Sequence, residues 1–167
     1  MPAAARGALA VEAARRGAEV VAIDLSPTLV DLARERLPAI PGPGRVEFRV
    51  GDMLDPTLGH FDHVVAMDSL IHYRADDAVR VLAGLAPRTS TSMVFTFAPR
   101  TALLSVMHTA GKLFPRQDRS PSIQPVSQRG LVAAVRRELV LNDLAVGRGE
   151  RVDSGFYISQ AMELVRR

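Results

Sequence analysis

The sequence contains no cysteine, which excludes disulfide bonds, thiol nucleophiles and cysteine-ligated metals. No apolar run approaches the roughly 18 residues that a membrane-spanning helix needs. The opening residues carry no long apolar segment of the signal-peptide kind. Aromatic side chains make up only 5% of the chain, and no basic stripe is interleaved with them as in RNA-binding modules, so nucleic acid is not an expected partner. What remains is a 167-residue chain, 47% hydrophobic and 23% charged, long enough to bury the core of one soluble globular domain over residues 1–167.

Charge is unevenly spread. Residues 1–87 hold nine arginines against twelve acids, while residues 88–167 hold eleven arginines and Lys112 against six, so a balance of −3 precedes one of +6. A basic second half suits an acidic ligand or an anionic membrane surface. The plainer explanation is an arginine-rich solvated face.

Apolar periodicity predicts a helix over 7–16, stopped by Gly17, and a buried strand over 19–23. Ser26 is placed to cap a following helix and Pro27 to open it. Strands are predicted over 46–50, 61–67 and 93–97, with a helix from Asp76 to about residue 85 between the last two. This alternation points to an α/β fold with a mostly parallel, Rossmann-like sheet. A helix over 130–139 follows, and 146–152 with 156–165 reads as a closing C-terminal antiparallel hairpin. The region 99–126 breaks the rhythm. Leu103, Leu104, Met107 and Phe114 recur at helical spacing there, as in an amphipathic, lid-like insert.

Acidic residues end three successive apolar strands: Asp24 in VVAID, Asp52 in VGDML and Asp68 in VVAMDSLIHY. Ligands of open α/β sheets bind outside the carboxyl ends of the strands. A carboxylate there accepts two hydrogen bonds at once, which suits the hydroxyl pair of a ribose at Asp24 and an exocyclic amine at Asp52. The competing explanation is that all three merely cap the chain locally. A nicotinamide-dinucleotide enzyme would also use an acid like Asp24, but no GxGxxG precedes it.

The segments EVVAIDLSP, RVEFRVGDML and FDHVVAMDSLIHY resemble successive motifs of class I S-adenosyl-L-methionine-dependent methyltransferases. DSLIHYRADDA, SMVFTFAPRTALL, KLFPR and SGFYISQAMELVR resemble, more closely, the magnesium protoporphyrin IX O-methyltransferase family of (bacterio)chlorophyll biosynthesis. That resemblance, over about residues 7–167, implies methyl transfer from S-adenosyl-L-methionine to the 13-propionate carboxyl of the magnesium porphyrin. It implies a cofactor site with Asp24 at the ribose, Leu25 next to it among the cofactor-binding residues, Asp52 and Met53 beside the adenine, and Asp68 near the amino-acid end. His72 would be the base or the carboxylate anchor, with Tyr73 and Arg100 at the substrate. Phe156 and Tyr157 would be core or cleft wall. No protein-bound metal is expected. The partners implied are the porphyrin, the magnesium chelatase and, at most, a peripheral membrane contact, helped by Lys112, Arg116 and Arg119. The compartment implied is the cytoplasm or the face of a photosynthetic membrane. A non-catalytic relic that holds a tetrapyrrole or a partner protein, or a methyltransferase for another small carboxylate, are the alternatives.

The family's glycine-rich cofactor loop has no full counterpart. MPAAARG stands where it would end, with Gly7 at its last glycine and Ala3 and Ala5 at earlier ones. On this sequence the sheet is expected to lack its first, central strand. The chain by itself is expected to transfer methyl weakly or not at all.

Overall fold

A computed structural model describes residues 4–100, 123–154 and 157–167. Leu103, Leu104, Met107, Lys112, Phe114, Arg116, Arg119, Phe156 and the side chain of Tyr157 therefore lie outside the described residues. The chain forms two compact units, Met1–Leu58 and Gly59–Arg167.

In the first unit, α1 (Ala4–Arg15), β1 (Glu19–Asp24), α2 (Pro27–Glu35) and β2 (Arg45–Val50) follow one another. The strands pair in parallel, from Glu19 opposite Arg45 to Asp24 opposite Val50. The helix α1 begins at Ala4, earlier than the predicted start at residue 7, because alanine is the best helix former and Ala4 and Ala5 extend the first turn ahead of Gly7. It ends in a Schellman turn. Ala18 N–H donates to Ala13 O (3.1 Å) and Gly17 N–H to Ala14 O (2.9 Å), and Gly17 takes φ +95°. The predicted cap of α2 is present: Ser26 Oγ accepts from Leu29 N–H at 3.4 Å, with Pro27 in the first turn.

Gly44 has a different task. A Cβ at this position would stand 1.9 Å from Ala14 O and 2.9 Å from Ala18 O, so the entry to β2 runs directly against the end of α1. Gly44→Ala must push backbone from backbone. We expect a stability loss of about 2 kcal/mol, within the usual range for overpacking. An unchanged urea midpoint would show that this close approach is not required.

The second unit holds β3 (Phe61–Ala66), α3 (Ala75–Leu85), β4 (Thr89–Phe97), α4 (Gln128–Arg137), β5 (Leu144–Ser154) and β6 (Tyr157–Arg166). Its sheet has the order β3-β4-β6-β5. The strands β3 and β4 are parallel, and β6 runs antiparallel to both of its neighbours, so the expected C-terminal hairpin is present. One face carries Met93 and Phe95 of β4 with their register partners Leu164 and Met162 of β6, and all four are buried. Leu82 and Leu85 of α3 and Leu131 and Val135 of α4 are buried as well. Arg166 near the end of β6 donates through Nη2 to Ala86 O and Thr89 O (both 2.8 Å), which ties the last strand to the turn that opens β4.

Among the described residues the strands form one two-stranded and one four-stranded sheet. Among the described residues, β1 pairs only with β2 and β3 only with β4. Val65 on β3 is half exposed.

Candidate functional site

In the first unit, β1 delivers Asp24 to its carboxyl end, and the backbone fixes it there. Gly51 N–H donates to Asp24 O (3.0 Å), and Asp24 Oδ1 accepts from Ser26 N–H (2.8 Å). Asp52, two residues past β2, accepts on Oδ1 from Leu54 N–H at 2.9 Å. Both acids therefore perform the local capping that was the competing explanation. This does not exhaust them, because a carboxylate has about four acceptor positions. The caps hold each carboxylate in one orientation. Leu25, beside Asp24, leaves 75% of its surface exposed, although it is a large apolar side chain next to a strand end. Met53 is half-buried beside the exposed Asp52.

A cleft of about 350 Å³ runs between α1 and α2, lined among others by Gly7, Val11, Arg15, Asp24, Val30 and Phe48. Of the expected cofactor residues it joins only Gly7 and Asp24. Gly7 lies inside α1 and not in a loop, and a Cβ there would meet nothing within 4 Å.

In the second unit, the chain leaves β3 through Met67 and enters Asp68 with φ +54°, the left-handed region that aspartate tolerates better than most residues. Asp68 N–H donates to Thr96 Oγ1 (2.7 Å), and the Thr96 hydroxyl donates to Asp68 Oδ1 (3.4 Å). Next to it, Ser69 Oγ is buried with no hydrogen-bond partner among the described residues. A single 3₁₀ turn, Leu70–His72, follows. Leu70 is only 1% exposed and anchors this turn in the core, which leaves His72 half-buried and Tyr73 at the surface. The end of the insert packs at this corner: Gln124 N–H donates to Ile71 O (2.9 Å) and Val126 N–H to Ala98 O (2.8 Å). Arg100 N–H donates to Val126 O (3.0 Å), so the exposed Arg100 is held at the backbone just past β4.

The sequence reading placed Asp68, His72, Tyr73 and Arg100 at the strand ends of this unit, where they are found. It did not single out Thr96. The available signal was a lone hydroxyl in the run MVFTF, on the face of β4 opposite Phe95 and Phe97.

Residues 66–166 match the family described as magnesium-protoporphyrin IX methyltransferase C-terminus, and residues 3–89 match a general methyltransferase domain. The chain is 51% identical over 157 residues to the magnesium-protoporphyrin O-methyltransferase of Rhodobacter capsulatus, covering 94% of this chain and 66% of that one. The enzyme of the same name from Synechocystis is 29% identical over 160 residues, covering 96% and 68%. A crystal structure of magnesium protoporphyrin IX methyltransferase from Synechocystis with bound SAH superimposes with a TM-score of 0.79 at 25% identity, covering 97% of this chain and 70% of that one. The chain thus spans about two thirds of the length of these relatives, and it has the α/β methyltransferase fold.

Proposed function

The chain belongs to the magnesium-protoporphyrin IX methyltransferase family, and from that premise we propose that it serves S-adenosyl-L-methionine-dependent methylation of a propionate carboxyl of magnesium protoporphyrin IX, a step of (bacterio)chlorophyll synthesis. The observation that carries this reading is Asp24 at the end of β1, oriented by Ser26 N–H, with the exposed Leu25 beside it. A fixed carboxylate next to an unburied apolar side chain suits a nucleoside, which offers a hydroxyl pair and a flat apolar ring.

The methyl donor, when bound, supplies a sulfonium methyl; the substrate oxygen forms the new O–C bond as the C–S bond breaks and its electron pair stays on sulfur. Opposite charges cancel in this displacement, so the protein's work is chiefly orientation. In this proposal Asp24 accepts from both ribose hydroxyls. Asp52 accepts from the adenine amine, with Leu25 and Met53 against the ring. Asp68 faces the amino-acid end. His72, on its anchored turn, accepts the proton of a neutral propionic acid or, when charged, pairs with the carboxylate. Arg100 offers the bidentate partner for a propionate, and Tyr73 a ring to pack on the macrocycle.

The same reading brings in the magnesium chelatase as the supplier of substrate and a membrane surface as the source of an apolar porphyrin. No helix among the described residues is long and apolar enough to cross a membrane.

The test uses methyl-labelled S-adenosylmethionine with magnesium protoporphyrin, and runs the Rhodobacter capsulatus relative in parallel as the reference. Label in a single propionate ester is the expected result. Label on another small carboxylate and none on the porphyrin would overturn the substrate assignment. Porphyrin binding without any label would mark a non-catalytic module.

A further inference from the structure

We propose that Thr96 is the positioning residue of this site: its hydroxyl holds Asp68 in the left-handed backbone conformation and aims the Asp68 carboxylate at the donor's amino-acid end. The inference rests on the function proposed above for its ligand, and on geometry for the rest.

The register of β3 and β4 ends with Ala66 opposite Phe95, so Thr96 stands one residue beyond, where β3 gives way to Met67 and Asp68. Regular parallel pairing stops at this point. The Asp68 amide turns to a side chain in place of a strand and finds Thr96 Oγ1 at 2.7 Å. The same hydroxyl donates back to Asp68 Oδ1 at 3.4 Å. One hydroxyl thereby grips both the backbone and the side chain of Asp68, using its donor and one acceptor position. A residue at φ +54° persists only where its surroundings over-determine it, and such positions gather at ligand sites. The neighbouring Ser69 hydroxyl is buried at the same corner, so the chain is packed just past Asp68 as well.

Thr96→Val keeps the shape and β-branching and removes both hydrogen bonds. Thr96→Ser keeps the hydroxyl. Two ligands separate positioning from general damage. S-adenosylhomocysteine carries the amino-acid end, and 5′-methylthioadenosine carries the same nucleoside without it. By calorimetry, Thr96→Val is expected to weaken S-adenosylhomocysteine about tenfold, the equivalent of one net hydrogen bond to a charged group, and to leave 5′-methylthioadenosine within about twofold. Thr96→Ser is expected to stay close to the unaltered chain with both. Equal losses for the two ligands, or no loss for either, would overturn the proposal.

An arm without ligand stands apart from the function. Amide exchange at Asp68 is expected to speed up in Thr96→Val and not in Thr96→Ser; unchanged exchange in Thr96→Val would show that the hydroxyl does not hold the turn. An unaltered chain that binds neither nucleoside would overturn the functional reading and, with it, the aim assigned to the carboxylate, while the exchange arm still decides whether Thr96 holds Asp68.

Discussion

Phe95→Ala is expected to lower the unfolding free energy by about 3–5 kcal/mol, the range for removing a buried aromatic ring from a core. Phe95 is 1% exposed. It lies on β4, an inner strand of the four-stranded sheet, between Ala66 of β3 and Met162 of β6 in register. Its ring centre is 6.3 Å from that of Phe97, with the planes tilted by 38°, a spacing at which aromatic pairs add to simple burial. Strand pairing on both sides holds the backbone, so the cavity cannot collapse fully. A small domain has only about 5–15 kcal/mol in total, which makes this loss a large fraction of it. Phe95→Leu fills most of the space and is expected to cost much less. Urea titration at equilibrium checks both through the midpoint with an unchanged slope. A loss below about 1 kcal/mol for Phe95→Ala, the level of an ordinary surface change, would mean that the second unit is not organised around this side chain.

Asp24→Ala is expected to weaken binding of S-adenosylhomocysteine about 100-fold, which corresponds to about 2.7 kcal/mol and matches the loss of charge-assisted hydrogen bonds to a hydroxyl pair. The difficulty is that Asp24 also accepts from Ser26 N–H, at the very start of α2. Its removal therefore costs about 1 kcal/mol of stability through the cap alone. Asp24→Asn separates the two roles. Its amide oxygen still accepts from Ser26, so the urea midpoint should hold. Its amide nitrogen replaces one acceptor by a donor and the charge is gone, so affinity should still fall, by about tenfold, in calorimetry. Should Asp24→Asn bind as tightly as the unaltered chain, Asp24 would be a capping residue and nothing more.

Local patterns in the chain were sufficient for most elements. The apolar run EVVAI, the Ser26-Pro27 start of α2 and the apolar–polar alternation over 46–50 each depend on neighbours within a few residues, and each is found where its pattern put it. The strand-end positions of Asp24, Asp52 and Asp68 were legible for the same reason, because a polar residue that closes an apolar run marks the end of a strand. The boundaries were less so. The strand β4 begins at Thr89 and not at residue 93, since TSTS carries no apolar signal and is recruited by pairing, as Phe61 opposite Thr89 and His63 opposite Ser92 show.

What the sequence by itself determined, then, was the α/β class, the order of helices and strands, the closing hairpin, and the family to which motifs such as DSLIHY and FYISQ resemble it. All of these follow from short-range periodicity or from motif identity. Only the tertiary structure decided the rest. The place of β6 between β4 and β5 depends on which strand edges meet. The need for glycine at 44 depends on a contact with Ala14, 30 positions earlier. The grip of Thr96 on Asp68 joins residues 28 apart in the chain. A side chain's spacing to its near neighbours says which face it occupies. It does not say what stands across from it, and hydrogen bonds and steric contacts are formed with what stands across.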